Sequence, residues 1–312
     1  MELRPLGFGE IFDRAVTLYI KNFVPFAGIV MVLVVPLAIA QYVLDLSSQP
    51  QFDAMIRIFR HPNQAASQHI PTIFDSPSSI AVLIVSIFIA YTIWPFALNA
   101  VAVGVARLYR NRPVEFRACY EAVLRRWLPM VAMMGLELVV LLAWYFAVIL
   151  VVVGIALAGT FLAAAWLPLA FLTPVVIVLA TIVIFASLAP LFVALTFAMY
   201  SVVIEERSVG AAFVLGFARV FNRSEFWRAV LFAIASGAVV GGASMVIGFL
   251  AIVAMFAHLT ILEVIVESLA RAAIAPFGVV LLAIYYFDVR IRHEAFDIET
   301  GLDRLAAGAQ TA

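Results

Sequence analysis

Residues 127–204 make up 78 consecutive positions with one formal charge, Glu137. A water-soluble domain cannot house such a stretch, because helices and strands that meet solvent need polar faces. The whole chain points the same way: 66% of its residues are hydrophobic and 12% charged, against about a quarter charged in an average soluble domain. The expected fold class is all-α, a polytopic membrane helix bundle. Residues 1–290 would form a single integral domain, followed by a polar cytoplasmic tail at 291–312.

Six crossings are expected, at about 23–44, 79–105, 127–155, 174–203, 226–256 and 263–287. Each exceeds the roughly 20 residues that span a 30 Å hydrocarbon core at 1.5 Å per residue. In the first, Ala38-Ile39-Ala40 imitates a signal-peptide cleavage site. Glu2, Glu10 and Asp13 ahead of it argue instead for an uncleaved anchor. The segment 45–78, rich in Gln, Ser and Pro, reads as an outer loop in which Phe52, Met55, Ile56 and Phe59 carry the spacing of a short amphipathic helix. In the second crossing Pro95 is expected to introduce a kink and Asn99 to be the buried polar group.

Charge distribution chooses between two and three crossings for 127–204. Arg-rich segments flank it at 104–127 and 203–228, and a cytoplasmic excess of Arg and Lys puts both on one face, which an even number of crossings satisfies. The six-crossing threading places 16 Arg and Lys inside, only Arg57 and Arg60 outside, and Arg271 within the last crossing. Both termini are then cytoplasmic.

Amphipathic helices are expected on that side at 9–22, 114–126 and 208–221, each ahead of a pair of crossings, so a threefold two-span repeat is conceivable from the layout. Their basic and aromatic residues, together with those just beyond them (Arg14, Lys21, Arg117, Arg125, Arg126, Trp127, Arg219, Arg223 and Trp227), would lie at an anionic inner leaflet. Gly237 and Gly241 stand in GxxxG spacing, followed by Gly248, a pattern that lets helices pack closely within one chain or between two.

An ionisable group at mid-membrane costs about 2.5 kcal/mol or more, so each needs a reason. Glu137 is one. Glu263, Glu267 and Arg271 follow one another at i, i+4, i+8 and share a helical face. With Asn99 they could form a polar site for an ion, a proton or a lipid headgroup. Alternatively Glu267 pairs with Arg271, and Glu137 is protonated or hydrogen-bonded inside the bundle. His61 and His69 read as loop residues, since no Cys or carboxylate cluster accompanies them. No catalytic triad, zinc-protease motif, phosphate-binding glycine loop or paired cysteines can be assembled, so neither an enzyme nor a cofactor or metal is expected. The charge balance suggests no nucleic acid. Membrane lipids, and either a protein partner or a second copy, remain as partners.

Two terminal motifs carry a resemblance. Arg4-Pro5-Leu6-Gly7-Phe8-Gly9-Glu10-Ile11-Phe12-Asp13-Arg14-Ala15, with Leu18-Tyr19 and Asn22-Phe23, opens the chain, and Tyr285-Tyr286-Phe287-Asp288-Val289-Arg290-Ile291-Arg292, with Glu294, Phe296 and Asp297, closes it. With Val203-Ile204-Glu205 and Ala211-Ala212 between them, the chain resembles the bacterial glycerophosphoryl diester phosphodiesterase membrane-domain family. The resemblance implies a bacterial plasma-membrane location and a membrane architecture. It implies no phosphodiesterase activity, since the catalytic barrel of that family, with its His-Arg-Gly triplet, has no counterpart here. The two functions this leaves are a membrane scaffold or accessory subunit, and a small transporter or lipid-handling protein using Glu137, Glu267 and Arg271.

Overall fold

The structure is a computed structural model that describes residues 4–60, 77–165, 172–256 and 259–294. Among these it is helical throughout, with no strand. In order come α1 (Phe8–Lys21), α2 (Phe23–Arg60), α3 (Pro77–Phe88), a π-helical turn (Ile89–Ile93), α4 (Trp94–Tyr109) and α5 (Phe116–Arg125). They are followed by α6 (Trp127–Ala165), α7 (Leu172–Val203), α8 (Val209–Val220), α9 (Phe226–Phe256) and α10 (Thr260–His293). Five of these helices are long and apolar enough to cross a membrane: α2, α6, α7, α9 and α10.

The 78-residue stretch folds as two long helices, α6 and α7. Its expected apolar turn, with Trp166 and Pro168, lies outside the described residues, as do His61 and His69. The segment expected as the second crossing is helical from Pro77 to Tyr109 but interrupted by the π-turn. Its cause is local. Pro95 has no amide hydrogen, and the turn just before it widens so that the Trp94 N–H reaches back to the Ile89 carbonyl. The proline disturbance is thus a π-bulge one turn upstream.

One expectation is corrected. The outer loop does not begin at residue 45, because α2 continues to Arg60. No glycine occurs between Gly28 and Gly104 to stop it. The helical spacing of Phe52, Met55, Ile56 and Phe59 is therefore an extension of the first long helix, not a separate one.

The chain divides into two compact units. Among described residues the first gathers those within 4–124 and 238–284, and the second those within 125–237 and 285–294. In the first unit, Glu10 closes the start of α1 by accepting the Gly7 N–H at 2.7 Å and pairing with Arg4 at 2.7 Å. These contacts, the Arg4 hydrogen bond foremost, hold the Glu10 carboxyl down at about 2. The apolar face of α1 buries Ile11, Ala15 and Leu18. Its Tyr19 hydroxyl donates to the carbonyl of Ala273, one turn before Pro276 inside α10, where the proline loosens the helical ladder. On α5, Tyr120 donates to the Ile29 carbonyl at 2.7 Å. The fully buried Cys119 packs at Gly104, whose missing Cβ would lie 3.6 Å from its sulfur and 3.0 Å from the Phe26 ring. Burial pushes the Cys119 thiol up to about 11.

In the second unit α8 lies on α7. A Cβ on Gly216 would stand 2.6 Å from both the Ala194 carbonyl oxygen and the Ala198 amide nitrogen. This is the closest glycine contact among the described residues. The GxxxG glycines behave otherwise: Gly237, Gly241 and Gly248 meet nothing within 4 Å among the described residues. Close packing inside the chain therefore rests on Gly216 and Gly104. That face of α9 is largely exposed, which leaves the packing between two chains as the use its spacing allows.

The short helices α1, α5 and α8 each pack on longer ones. Tyr19 of α1 bonds to α10, Tyr120 of α5 bonds to α2 while Cys119 packs at Gly104 of α4, and Gly216 of α8 meets α7. An amphipathic face gains most of its stability from whatever covers it, and here that is the neighbouring helices. Lys21, Arg117, Arg125, Arg223, Trp127 and Trp227 remain exposed, while Arg14 and Arg126 are half-buried and Arg219 is buried. The order short helix, long helix, long helix recurs three times, with the second long helix of the first round broken at the π-turn.

Candidate functional site

Two groups of charged residues stand out, one in each unit. The larger was not foreseen. It joins the end of α7, α8, the start of α9 and the last two turns of α10.

At its centre is Arg219 on α8, whose side chain is only 3% exposed. Its guanidinium binds Glu294 through two parallel bonds, Nε to Oε1 at 2.6 Å and Nη2 to Oε2 at 2.7 Å. The same Nη2 lies 2.7 Å from Glu205, and Nη1 donates to Ser201 at 2.7 Å and to the Tyr286 hydroxyl at 3.0 Å. Tyr286 in turn donates to Glu205. Arg290 adds a bond to Glu294 at 3.1 Å and stands 3.5 Å from Glu205. Arg219 and Arg290 thus face Glu205 and Glu294, two charges of each sign, and the largely exposed Arg207 stands 3.5 Å from Glu205.

A second layer flanks the first. Arg228 pairs with the fully buried Asp288 at 2.6 Å, and Arg292 reaches the same carboxylate at 2.9 Å. Glu225 stands 3.5 Å from Arg228 and 3.1 Å from His293. The helical period explains both layers. Tyr286, Arg290 and Glu294 repeat every four residues on one face of α10, while Asp288 and Arg292 share the adjacent face.

Electrostatics follows from this geometry. Burial works against a charged Arg219, but the Glu294 hydrogen bond and the surrounding Tyr286 and Glu205 overcome it and raise its proton affinity above the ordinary guanidinium value. Burial likewise opposes ionisation of Glu294, and the bonds from Arg219 and Arg290 prevail and hold its carboxyl below the usual carboxylate range. A bidentate, charge-balanced arrangement of this kind fixes helices to one another. Arg219 is thus turned into the protein, with its side chain 3% exposed.

The sequence-derived polar site is only partly assembled. Glu267 and Arg271 form an ion pair one helical turn apart on α10. Glu263, 9% exposed, lies one turn earlier on the same face. Asn99 is buried and donates to the Pro95 carbonyl at 2.9 Å, the group left beside the π-turn. Glu137 belongs to the other unit, half-buried on α6, and pairs with no described residue.

One cavity borders the Glu267–Arg271 pair and a second lies near it. One, of about 260 Å³, runs between α9 and α10 and is lined by Val240, Ser244, Ile247, Gly248, Glu267 and Arg271, among others. The other is an apolar groove of about 440 Å³ between α2 and α10, formed by residues including Met31, Val35, Ile39, Tyr42, Val264 and Ile265. A narrow gap that shares Val34, Ala38 and Ser268 with the groove connects it to Gln41, Glu267 and Arg271. The pair itself is reached from outside, with 44% of the Arg271 side chain exposed. No three metal-ligating side chains converge among the described residues. Comparison with protein-family models, with curated proteins and with solved structures returns no match.

Proposed function

We propose that the chain is a non-catalytic, multi-pass protein of the bacterial plasma membrane that acts as a scaffold or accessory subunit engaging membrane lipid. Its five long apolar helices, with the interrupted Pro77–Tyr109 segment as a sixth crossing, form the membrane bundle. The 16-to-2 partition of Arg and Lys sets both termini in the cytoplasm. The resemblance of the two ends to the glycerophosphoryl diester phosphodiesterase membrane domain supports the bacterial location. The observation that carries the scaffold reading is the ion-pair clasp around Arg219. Among the described residues Arg219, Glu205 and Arg290 are buried, paired and hydrogen-bonded, which suits a lock between helices.

The second reading, a small transporter, is favoured by one observation: Glu137 is half-buried within an apolar helix and has no partner among the described residues. Native mass spectrometry of the gently extracted protein separates the two. The scaffold reading expects phospholipid or a partner subunit to stay bound at a fixed ratio. A protein that emerges bare, and whose proteoliposomes show a solute flux abolished by Glu137→Gln, would overturn it in favour of transport.

A further inference from the structure

We infer that the Glu267–Arg271 pair and the adjoining groove between α2 and α10 bind one phospholipid whose headgroup carries both a phosphate and a primary ammonium. The inference rests on the lipid-engaging reading and adds to it a place and a chemistry.

The groove supplies the tail site. Its volume of about 440 Å³ falls within the range of about 300–1,000 Å³ of ligand pockets, room for a stretch of one acyl chain. Its walls are almost wholly apolar, their hydroxyls being those of Tyr42 and of Ser268, which it shares with the gap at the charged pair. The groove leads to the narrow gap lined by Gln41, Glu267, Ser268 and Arg271.

The pair supplies the headgroup site. An arginine and a glutamate one turn apart present a donor fork and an acceptor side by side. A ligand with phosphate and ammonium separated by a short linker can take up both, phosphate on Arg271 and ammonium on Glu267. The cavity on the α9 side, about 260 Å³, leaves room for those groups beside the pair. Local charge balance decides between lipids. A purely anionic headgroup such as glycerol phosphate would set its phosphate near Glu267 with no cation to offset it. A choline headgroup offers positive charge but no N–H to the carboxylate. An ethanolamine headgroup satisfies both partners.

The test uses the whole protein, stripped of native lipid in detergent and offered dioleoyl phosphatidylethanolamine, phosphatidylcholine or phosphatidylglycerol, with bound lipid read by native mass spectrometry. The ethanolamine lipid is expected to bind at one copy per chain and the tightest of the three. Arg271→Gln should weaken it by about ten-fold or more, the scale of a lost charge-assisted bond. Ala38→Phe, which fills the groove while keeping the charged pair, should weaken all three. Thermal melts of both variants, unchanged from the parent, exclude loss of fold as the cause. Equal or tighter binding of phosphatidylglycerol, or retention of the ethanolamine lipid by folded Arg271→Gln and Ala38→Phe, overturns this site while leaving lipid engagement standing. Failure of the parent to hold any lipid overturns the broader reading as well.

Discussion

Replacing Arg219 by Met should destabilise the protein by about 3–5 kcal/mol, the cost of removing one partner from a buried ion pair. The size follows from what stays behind. Glu205 is 6% exposed and would keep Arg290 and the largely exposed Arg207, each at the longer distance of 3.5 Å, and the Tyr286 hydroxyl. Glu294 would lose its two-pronged partner but is 28% exposed and can be hydrated. Removing a carboxylate along with the arginine, as in Arg219→Met/Glu205→Gln, should therefore recover part of the loss. Glu294→Gln alone should cost less than Arg219→Met. Thermal unfolding of the detergent-solubilised variants gives the order directly. A melt for Arg219→Met equal to the parent would show that the clasp does not hold α7, α8 and α10 together.

A single added methyl group should have an effect of similar size. Gly216→Ala places a carbon 2.6 Å from two backbone atoms of α7, the Ala194 carbonyl oxygen and the Ala198 nitrogen. Backbone cannot rotate aside as a flexible side chain would, so α8 must lift from α7. Overpacking a tight contact costs about 1–3 kcal/mol, and this site belongs at the upper end. Lifting α8 also carries Arg219 away from Ser201 and Tyr286, so the two lesions act on one joint and should not add in the Gly216→Ala/Arg219→Met double variant. Gly237→Ala, with nothing within 4 Å among the described residues, is the matched control and should leave the melt unchanged.

These two positions mark the boundary of what the sequence discloses. The long apolar runs declare the helices because the bilayer permits no other use for them. Both ends of α9 lie where composition places them, at Phe226 and Phe256. The division of residues 127–204 into two helices follows from charge placement alone. Gly216 gives no such signal: one glycine in a short apolar helix looks like any other, and the GxxxG on α9 is the more conspicuous pattern. The clasp did leave a trace. Tyr286, Arg290 and Glu294 repeat every four residues beside a highly apolar segment, and charges in that setting need partners nearby. Glu205 and Arg219 are distant in sequence from them, and only the packing of α8 on α7 makes them neighbours. The pair of Glu267 and Arg271 was legible because i, i+4 spacing suffices to bring two residues together on one helix. The groove beside it was not, because its two walls come from α2 and α10, far apart along the chain.

The proposed threading has six crossings with both termini inside, and cysteine labelling tests that proposal most directly. The native Cys119 is fully buried and should stay silent on either side of the membrane. In a Cys119→Ala background, the Arg117→Cys thiol, at a side chain 89% exposed on α5, should resist an impermeant maleimide in intact cells and react once the membrane is opened. The Ser67→Cys thiol, between α2 and α3, should react in intact cells. Labelling of Arg117→Cys from outside, with Ser67→Cys protected until the cells are opened, would contradict the threading and the placement of the Arg219 clasp on the cytoplasmic face.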